Sequence, residues 1–194
     1  MDGLNAVDGL SASDGLNALV VANAEFERRL RAVGAADWGR PTPCDEWDVR
    51  ALVNHVIGAN RRHAMLLAGA SAAEVDAIRS DDHLGGDALA SFLTTASALL
   101  AAFGAGDAMD RVVHHPVGDR TGAELLRMRV LDVAVHTWDL ARAVGVDEIL
   151  DPDLVALCLT FTPPLDPEST EGRSPQHELL HRTGRRPLTT QETP

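Results

Sequence analysis

The sequence predicts an all-α protein, a small four-helix bundle with one short extended segment and an additional C-terminal helix. Apolar residues recur at helical spacing over four long stretches. Residues that cap helices, Asp or Thr before a stretch and Gly after it, mark the ends of most of them. A single short segment, 109–116, is rich enough in β-branched residues to be extended.

The composition is that of one globular domain. The chain has 194 residues, of which 45% are hydrophobic and 24% charged, and its net charge is −12. Such an acidic surface repels a phosphate backbone, so we expect no nucleic-acid partner. All basic side chains are Arg, which excludes chemistry that needs a lysine Schiff base.

The cysteine count and the hydropathy pattern predict where the protein works. Two cysteines in 194 residues are typical of a reducing compartment. No export signal is apparent, and no stretch approaches the ~18 consecutive apolar residues needed to cross a bilayer. We therefore predict a cytoplasmic protein without a membrane partner.

The N-terminal part divides into a tail and the first helix of the bundle. Asp-Gly-Leu recurs every six residues at the start of the chain, and we predict a disordered tail over 1–13. The bundle is predicted over 14–162. Its first helix should run over about 14–33, with Gly34 as the residue that ends it.

The next elements follow from turn and capping residues. A segment with two Trp and two Pro, 37–47, is predicted as a loop. Asp48 can cap a helix over 48–68. A third helix is predicted over 87–103, between pairs of glycines that favour turns.

The C-terminal half holds the longest predicted helix. It runs over 121–144 after the extended segment, and Gly145 ends it. A shorter helix over 151–160 has Pro at its favoured first position. The remaining segment, 163–194, is predicted as a Pro-rich linker, a short helix and a polar tail.

Polar residues follow one face of the helix over 121–144. Residues spaced by 4, 3, 4 and 3 positions share that face, namely Leu125, Arg129, Asp132, His136 and Asp139. Asp132 and His136 are therefore close enough to share one ion. His55 lies in the apolar stripe of the helix over 48–68 and is a third candidate ligand. Two His and one carboxylate are typical of a catalytic zinc site, and the same set could hold non-haem iron.

Spacing alone leaves other interpretations open. Asp132 and His136 could equally form a buried hydrogen-bonded couple, and His55 could be a core histidine with its hydrogen bonds satisfied. Arg129 could clamp a substrate carboxylate or pair with Asp132.

Five residues carry weaker signals. His114 and His115 could move protons in catalysis. Asp139 and Arg142, three positions apart, are interpreted as a surface ion pair. Cys44 precedes a helix N-terminus, where a thiol can become reactive, although a packing role is the alternative.

Three segments resemble a known family. Segment 42–58, TPCDEWDVRALVNHVIG, resembles the start of the second helix in DinB-like proteins of the mycothiol-dependent maleylpyruvate isomerase type. Segment 132–143, DVAVHTWDLARA, is similar to the metal-ligand helix of that family. Residues 176–185 resemble the ending of an actinobacterial branch of it.

The resemblance implies a DinB-like four-helix bundle with a divalent metal held by His55, Asp132 and His136. Zinc is the expected metal, with nickel or iron as alternatives. In the isomerase the middle ligand is a Glu, and Asp132 is one methylene shorter.

The resemblance also implies an enzyme with a small-molecule substrate, as a monomer or homodimer. In one hypothesis the metal activates a low-molecular-weight thiol, mycothiol being the usual one, for isomerisation or S-transfer. In a second, it acts without a thiol as a Lewis acid in a lyase, cyclase or hydrolase. A third hypothesis is a non-catalytic metal-binding or stress protein.

Overall fold

The structure, a computed structural model, describes residues 11–45, 47–164 and 172–185. Within these ranges it has seven helices and one two-stranded sheet. They are α1 (Ala12–Leu30), α2 (Val49–Leu67), α3 (Ala72–Ala77), α4 (Ala88–Phe103), β1 (Val112–Val113), β2 (Arg120–Thr121), α5 (Gly122–Val144), α6 (Pro152–Thr160) and α7 (Pro175–Arg182).

The four long helices form the predicted bundle. α1 packs against α5 and α4, and α2 packs against α4 and α5. The core between them is aliphatic with a few aromatic rings; Phe26 of α1 and Phe92 of α4 lie with ring centroids 4.9 Å apart. The all-α fold class and the four-helix architecture are confirmed.

The first helix differs from the prediction at both ends. It begins at Ala12, inside the segment predicted as a tail, because the Ser11 side chain accepts a hydrogen bond from the backbone N–H of Asp14. Residues 1–10 lie outside the described residues. It ends at Leu30, and its last carbonyls are satisfied by a turn rather than by Gly34. The predicted end at residue 33 is therefore wrong by one turn.

The capping residues of the helices that carry the site are confirmed. Asp48 accepts a hydrogen bond from the backbone of Ala51 at the start of α2. Thr121 and Glu124 form a capping box at the start of α5, and Gly145 ends it in the left-handed conformation, with φ of 77°. Because these caps set where α2 and α5 begin, they also set the positions of the candidate ligands along the two helices.

Two elements were not predicted. α3 has only six residues, too few for a helical period to be visible, and Ser71 with Glu74 caps it. The other is β2, which pairs antiparallel with β1 in a hairpin; β1 itself lies in the segment 109–116 that was predicted as extended. The linker of segment 163–194 lies partly outside the described residues, and its predicted short helix is α7.

Candidate metal centre

The structure brings together the three residues predicted as metal ligands. His55 Nε2 lies 3.3 Å from Oδ1 of Asp132, and His136 Nε2 lies 3.3 Å from the same oxygen. One ligand atom from each residue lies within 4.8 Å of the others. We call these three residues the metal-ligand group; α2 supplies one member and α5 the other two.

Two of the three distances between ligand atoms match those around a zinc ion. Tetrahedral zinc with bonds of about 2.1 Å to nitrogen and oxygen holds adjacent ligand atoms about 3.4 Å apart. Both nitrogen–oxygen distances here are 3.3 Å. The carboxylate of Asp132 therefore reaches both imidazoles although it is shorter than a Glu.

The hydrogen bonding of His136 provides a second test of the fit. Nδ1 of His136 lies 3.0 Å from Oδ2 of Asp139, which can only accept, so Nδ1 carries a proton. In the neutral ring, Nε2 then directs a lone pair at the oxygen of Asp132. Two acceptors in contact require a positive charge between them, which a metal ion or a second proton on His136 can supply.

The pKa shifts of His136 and Asp132 indicate how the two side chains are protonated without a metal. Burial favours neutral His136, but the carboxylates of Asp132 and Asp139 outweigh burial and hold its pKa well above the ordinary value. Burial would likewise raise the pKa of Asp132, yet His136, His55 and Arg129 hold it well below the usual range. A proton on His136 thus occupies the place that a cation would take.

His55 differs from His136 in its protonation. Burial lowers the pKa of His55 more than Asp132 raises it. At neutral pH the ring is therefore uncharged, the state in which an imidazole binds a metal. Its ring centroid lies 4.7 Å from that of Trp47, and the same indole lies 5.7 Å from His136. Trp47 thus covers both imidazoles.

Arg129 lies behind Asp132. Its guanidinium is fully buried and donates to Oδ2 of Asp132, to the carbonyl of Val56 at 2.8 Å and to Oδ1 of Asn60 at 3.0 Å from Nε. Burial lowers its pKa to about 10, so it remains charged at neutral pH. Of the two roles left open by the sequence, this geometry favours pairing with Asp132, which leaves Oδ1 free for a metal.

Asp139 is not on the surface, and its interpretation as a surface pair with Arg142 is wrong. Its side chain is fully buried and accepts from His136, from Arg185 at 2.7 Å and from Sγ of Cys44 at 3.1 Å. Arg142 instead pairs with Glu148 at 3.1 Å. Residue 139 shares the helix face of residues 132 and 136, and that face points into the bundle.

Cys44 and Arg185 complete the surroundings of Asp139. Sγ of Cys44 lies 3.7 Å from Nδ1 of His136 and 3.2 Å from a guanidinium nitrogen of Arg185. Cys44, His136 and Asp139 also form a second group with metal-ligand geometry. Arg185 follows α7 and was missed from the sequence, because only the folded chain brings it to α5.

Two cavities adjoin the metal-ligand group. The His115 cavity, of about 220 Å³, is lined by residues that include His55, Asp132, Arg62, His63 and His115. The Cys44 cavity, of about 370 Å³, is lined by residues that include Cys44, Trp47, His136 and Arg185. Larger grooves of about 690 and 770 Å³ elsewhere touch none of the three ligand residues.

The two histidines predicted to move protons lie differently. His115 lines the cavity that contains His55 and Asp132. Burial lowers its pKa, and its Nδ1 accepts from the backbone of Val117 at 3.3 Å. His114 is exposed and pairs with Asp119 at 2.9 Å. The structure thus places His115 in the wall of the cavity that His55 and Asp132 also line, and leaves His114 on the surface of the hairpin.

These features define a class of protein: a helical bundle with a three-residue His/Asp group that could hold a metal ion, between two cavities. Residues 19–141 match the family described as Mycothiol maleylpyruvate isomerase N-terminal domain. The chain belongs to this family. Among the described residues, no helix is both long and apolar enough to cross a membrane.

The chain is also similar to individual proteins and to a solved structure. The chain is 32% identical over 133 residues to the uncharacterized proteins MT0763 and Rv0738 of Mycobacterium tuberculosis strains CDC 1551 / Oshkosh and ATCC 25618 / H37Rv, covering 69% of each chain. The crystal structure of the mycothiol-dependent maleylpyruvate isomerase has the same fold, with a TM-score of 0.63 at 18% identity. That match covers 81% of this chain and 70% of the isomerase.

Replacing Asp139 by Asn should weaken zinc binding about 10- to 100-fold, the usual effect of losing a carboxylate behind a metal-bound His. The amide can donate to Nδ1 of His136 and so favour the wrong tautomer of that ring. Competition with a fluorescent chelator would measure the affinity. Arg142→Gln is the matched control and should leave it unchanged; equal affinities of Asp139→Asn and wild type would contradict the assigned role.

Proposed function

We propose that this protein is a divalent-metal enzyme, with zinc as the metal, that activates a low-molecular-weight thiol of the mycothiol type. The thiol would act on a small electrophilic substrate, by isomerisation or S-transfer. One observation carries the proposal: His55, Asp132 and His136 form an open three-ligand group with a cavity on each side. Membership in a family described by a mycothiol-dependent isomerase supports it.

The metal would be held by His55, Asp132 and His136, as a catalytic site with three protein ligands requires. When bound, it would lower the pKa of a coordinated thiol, so that a nucleophilic thiolate is available at neutral pH. Arg129 holds Oδ2 of Asp132, so that Oδ1 faces both imidazoles. The ligands are thus oriented before any substrate binds.

The remaining side chains would shape the reaction. Trp47 covers both imidazoles and limits the access of water to them. His115 is the residue we propose for proton transfer, because it lines the cavity next to His55 and burial keeps its ring neutral. His114 would then contribute to the hairpin rather than to the reaction.

The cavity sizes limit the partners. Cavities of about 220 and 370 Å³ accommodate small molecules. A net charge of −12 continues to argue against nucleic acid as a ligand. We therefore propose two small-molecule partners, a thiol and an electrophile. The cytoplasmic location and the monomeric or homodimeric state remain predictions.

Thiol dependence is the decisive experiment. Zinc-loaded protein would be incubated with maleylpyruvate and either mycothiol, cysteine or no thiol, and the loss of substrate followed by its absorbance. We expect turnover with mycothiol, none without a thiol, and none in His55→Ala. His114→Ala is the matched control and should retain activity. Turnover that does not depend on a thiol would refute the proposal in favour of Lewis-acid chemistry, and no turnover with any thiol would refute it for this electrophile.

A further inference from the structure

Arg62 of α2 is a largely buried cation that forms no salt bridge among the described residues. Its side chain is 8% exposed, and among the described residues no hydrogen bond or ion pair joins its guanidinium to the protein. The other two buried arginines behave differently. Arg29 pairs with Glu25, and Arg129 pairs with Asp132.

A largely buried guanidinium without a hydrogen-bond partner is unfavourable, because it keeps only part of its hydration and gains no direct partner in exchange. Burial and the nearby cation Arg79 lower the pKa of Arg62 more than the carboxylates of Asp132 and Asp76 raise it. The chain also makes room for this side chain. A Cβ at position 58 would lie 2.8 Å from Nη1 of Arg62 and closer still to the ring of His83, so Gly58 leaves space for both side chains.

Arg62 lines the His115 cavity, together with Arg79, His63 and His115. The one carboxylate in the lining, Asp132, is already paired with Arg129 and belongs to the metal-ligand group. Arg79 is half exposed and pairs with Asp76 at 2.8 Å. The wall of this cavity thus contains both Arg62, a cation without a salt bridge, and two of the candidate metal ligands, His55 and Asp132.

We propose that Arg62 is an anion-binding and specificity-determining residue. It would take an oxyanion group, carboxylate or phosphate, of a small molecule whose remainder extends to His55 and Asp132. A planar guanidinium matches the two oxygens of such a group. The cavity of about 220 Å³ is smaller than the roughly 300–1,000 Å³ of drug-sized sites, so the ligand is a compact one. That this ligand is the substrate rests on the proposed function.

Isothermal titration of the purified protein would test this with three probes: succinate, inorganic phosphate and the uncharged succinamide. We expect succinate or phosphate to bind and succinamide not to bind. Arg62→Met keeps the length of the side chain and should weaken anion binding about 10- to 100-fold, the range for a hydrogen bond to a charged group. Arg61→Met removes the same charge from the exposed neighbouring position and should leave the affinity unchanged.

A thermal melt without anion provides a second readout. Because Arg62→Met removes an unpaired buried charge, its melting temperature should rise by about 2–4 °C. It also shows that the variant is folded. Anion binding that is equal in Arg62→Met and wild type, or absent for both anions, would overturn the proposal. Neither readout involves a thiol, so this result is independent of the thiol-dependence experiment.

Discussion

Alanine at His136 is expected to remove the bound metal, whereas the wild-type protein should carry about one zinc per chain. The substitution deletes a ligand and the ring whose Nδ1 is held by Asp139. The loss should exceed the 10- to 100-fold typical of a residue behind a ligand, because two remaining ligands do not hold zinc tightly. Elemental analysis of protein purified without a metal-chelating tag measures the content directly.

The same measurement on His55→Ala should give the same result, since His55 is the sole ligand supplied by α2. His114→Ala is the matched control, because that exposed ring lies on the hairpin. Circular dichroism would verify that each variant is folded. A wild-type protein that contains no metal, and takes up neither zinc, nickel nor iron, would show instead that the three residues are a buried hydrogen-bonded group.

The helices could be predicted because their determinants are local. An apolar period of 3.6 residues and capping residues such as Asp48 and Thr121 act within one element. Prediction from periodicity and capping residues fails where a helix is too short, or where its end is determined by something other than a capping residue. α3 is too short to show a period, and α1 ends before Gly34 because a turn, rather than a left-handed glycine, satisfies its last carbonyls.

The ligands of the site could be predicted for a similar reason. Asp132 and His136 are four residues apart on one helix, so their proximity follows from helix geometry alone. His55 required more, because its place in the apolar stripe of its helix made it a candidate and the resemblance then grouped it with the other two. The structure confirms that the three lie together.

What surrounds the ligands depends on tertiary contacts. Asp139 was assigned to Arg142 because charges three apart on a helix commonly pair on its surface. Its position on the helix could have indicated that Asp139 is buried, since residue 139 lies on the same face as residues 132 and 136. Arg185 and Cys44 reach it from distant parts of the chain, over a separation that no periodic pattern covers.

Methionine at Arg129 is expected to destabilise the metal-free protein by about 3–5 kcal/mol, the usual effect of removing one partner of a buried ion pair. Asp132 would lose the guanidinium bound to Oδ2, and Asn60 and the carbonyl of Val56 would lose their donors. Urea unfolding measures the difference. Arg142→Met, which breaks a more exposed pair with Glu148, should change stability by no more than about 1 kcal/mol.

Zinc should reduce the destabilisation in Arg129→Met, because a cation bound at Oδ1 of Asp132 restores positive charge beside this half-buried carboxylate. The two charges are thus partly interchangeable in stabilising Asp132, although only Arg129 is part of the chain. Urea unfolding at several zinc concentrations tests this. If zinc stabilises Arg129→Met no more than it stabilises Arg142→Met, the two charges are not interchangeable; if zinc stabilises neither variant, no metal binds next to Asp132, and the assignment of that residue as a ligand is wrong.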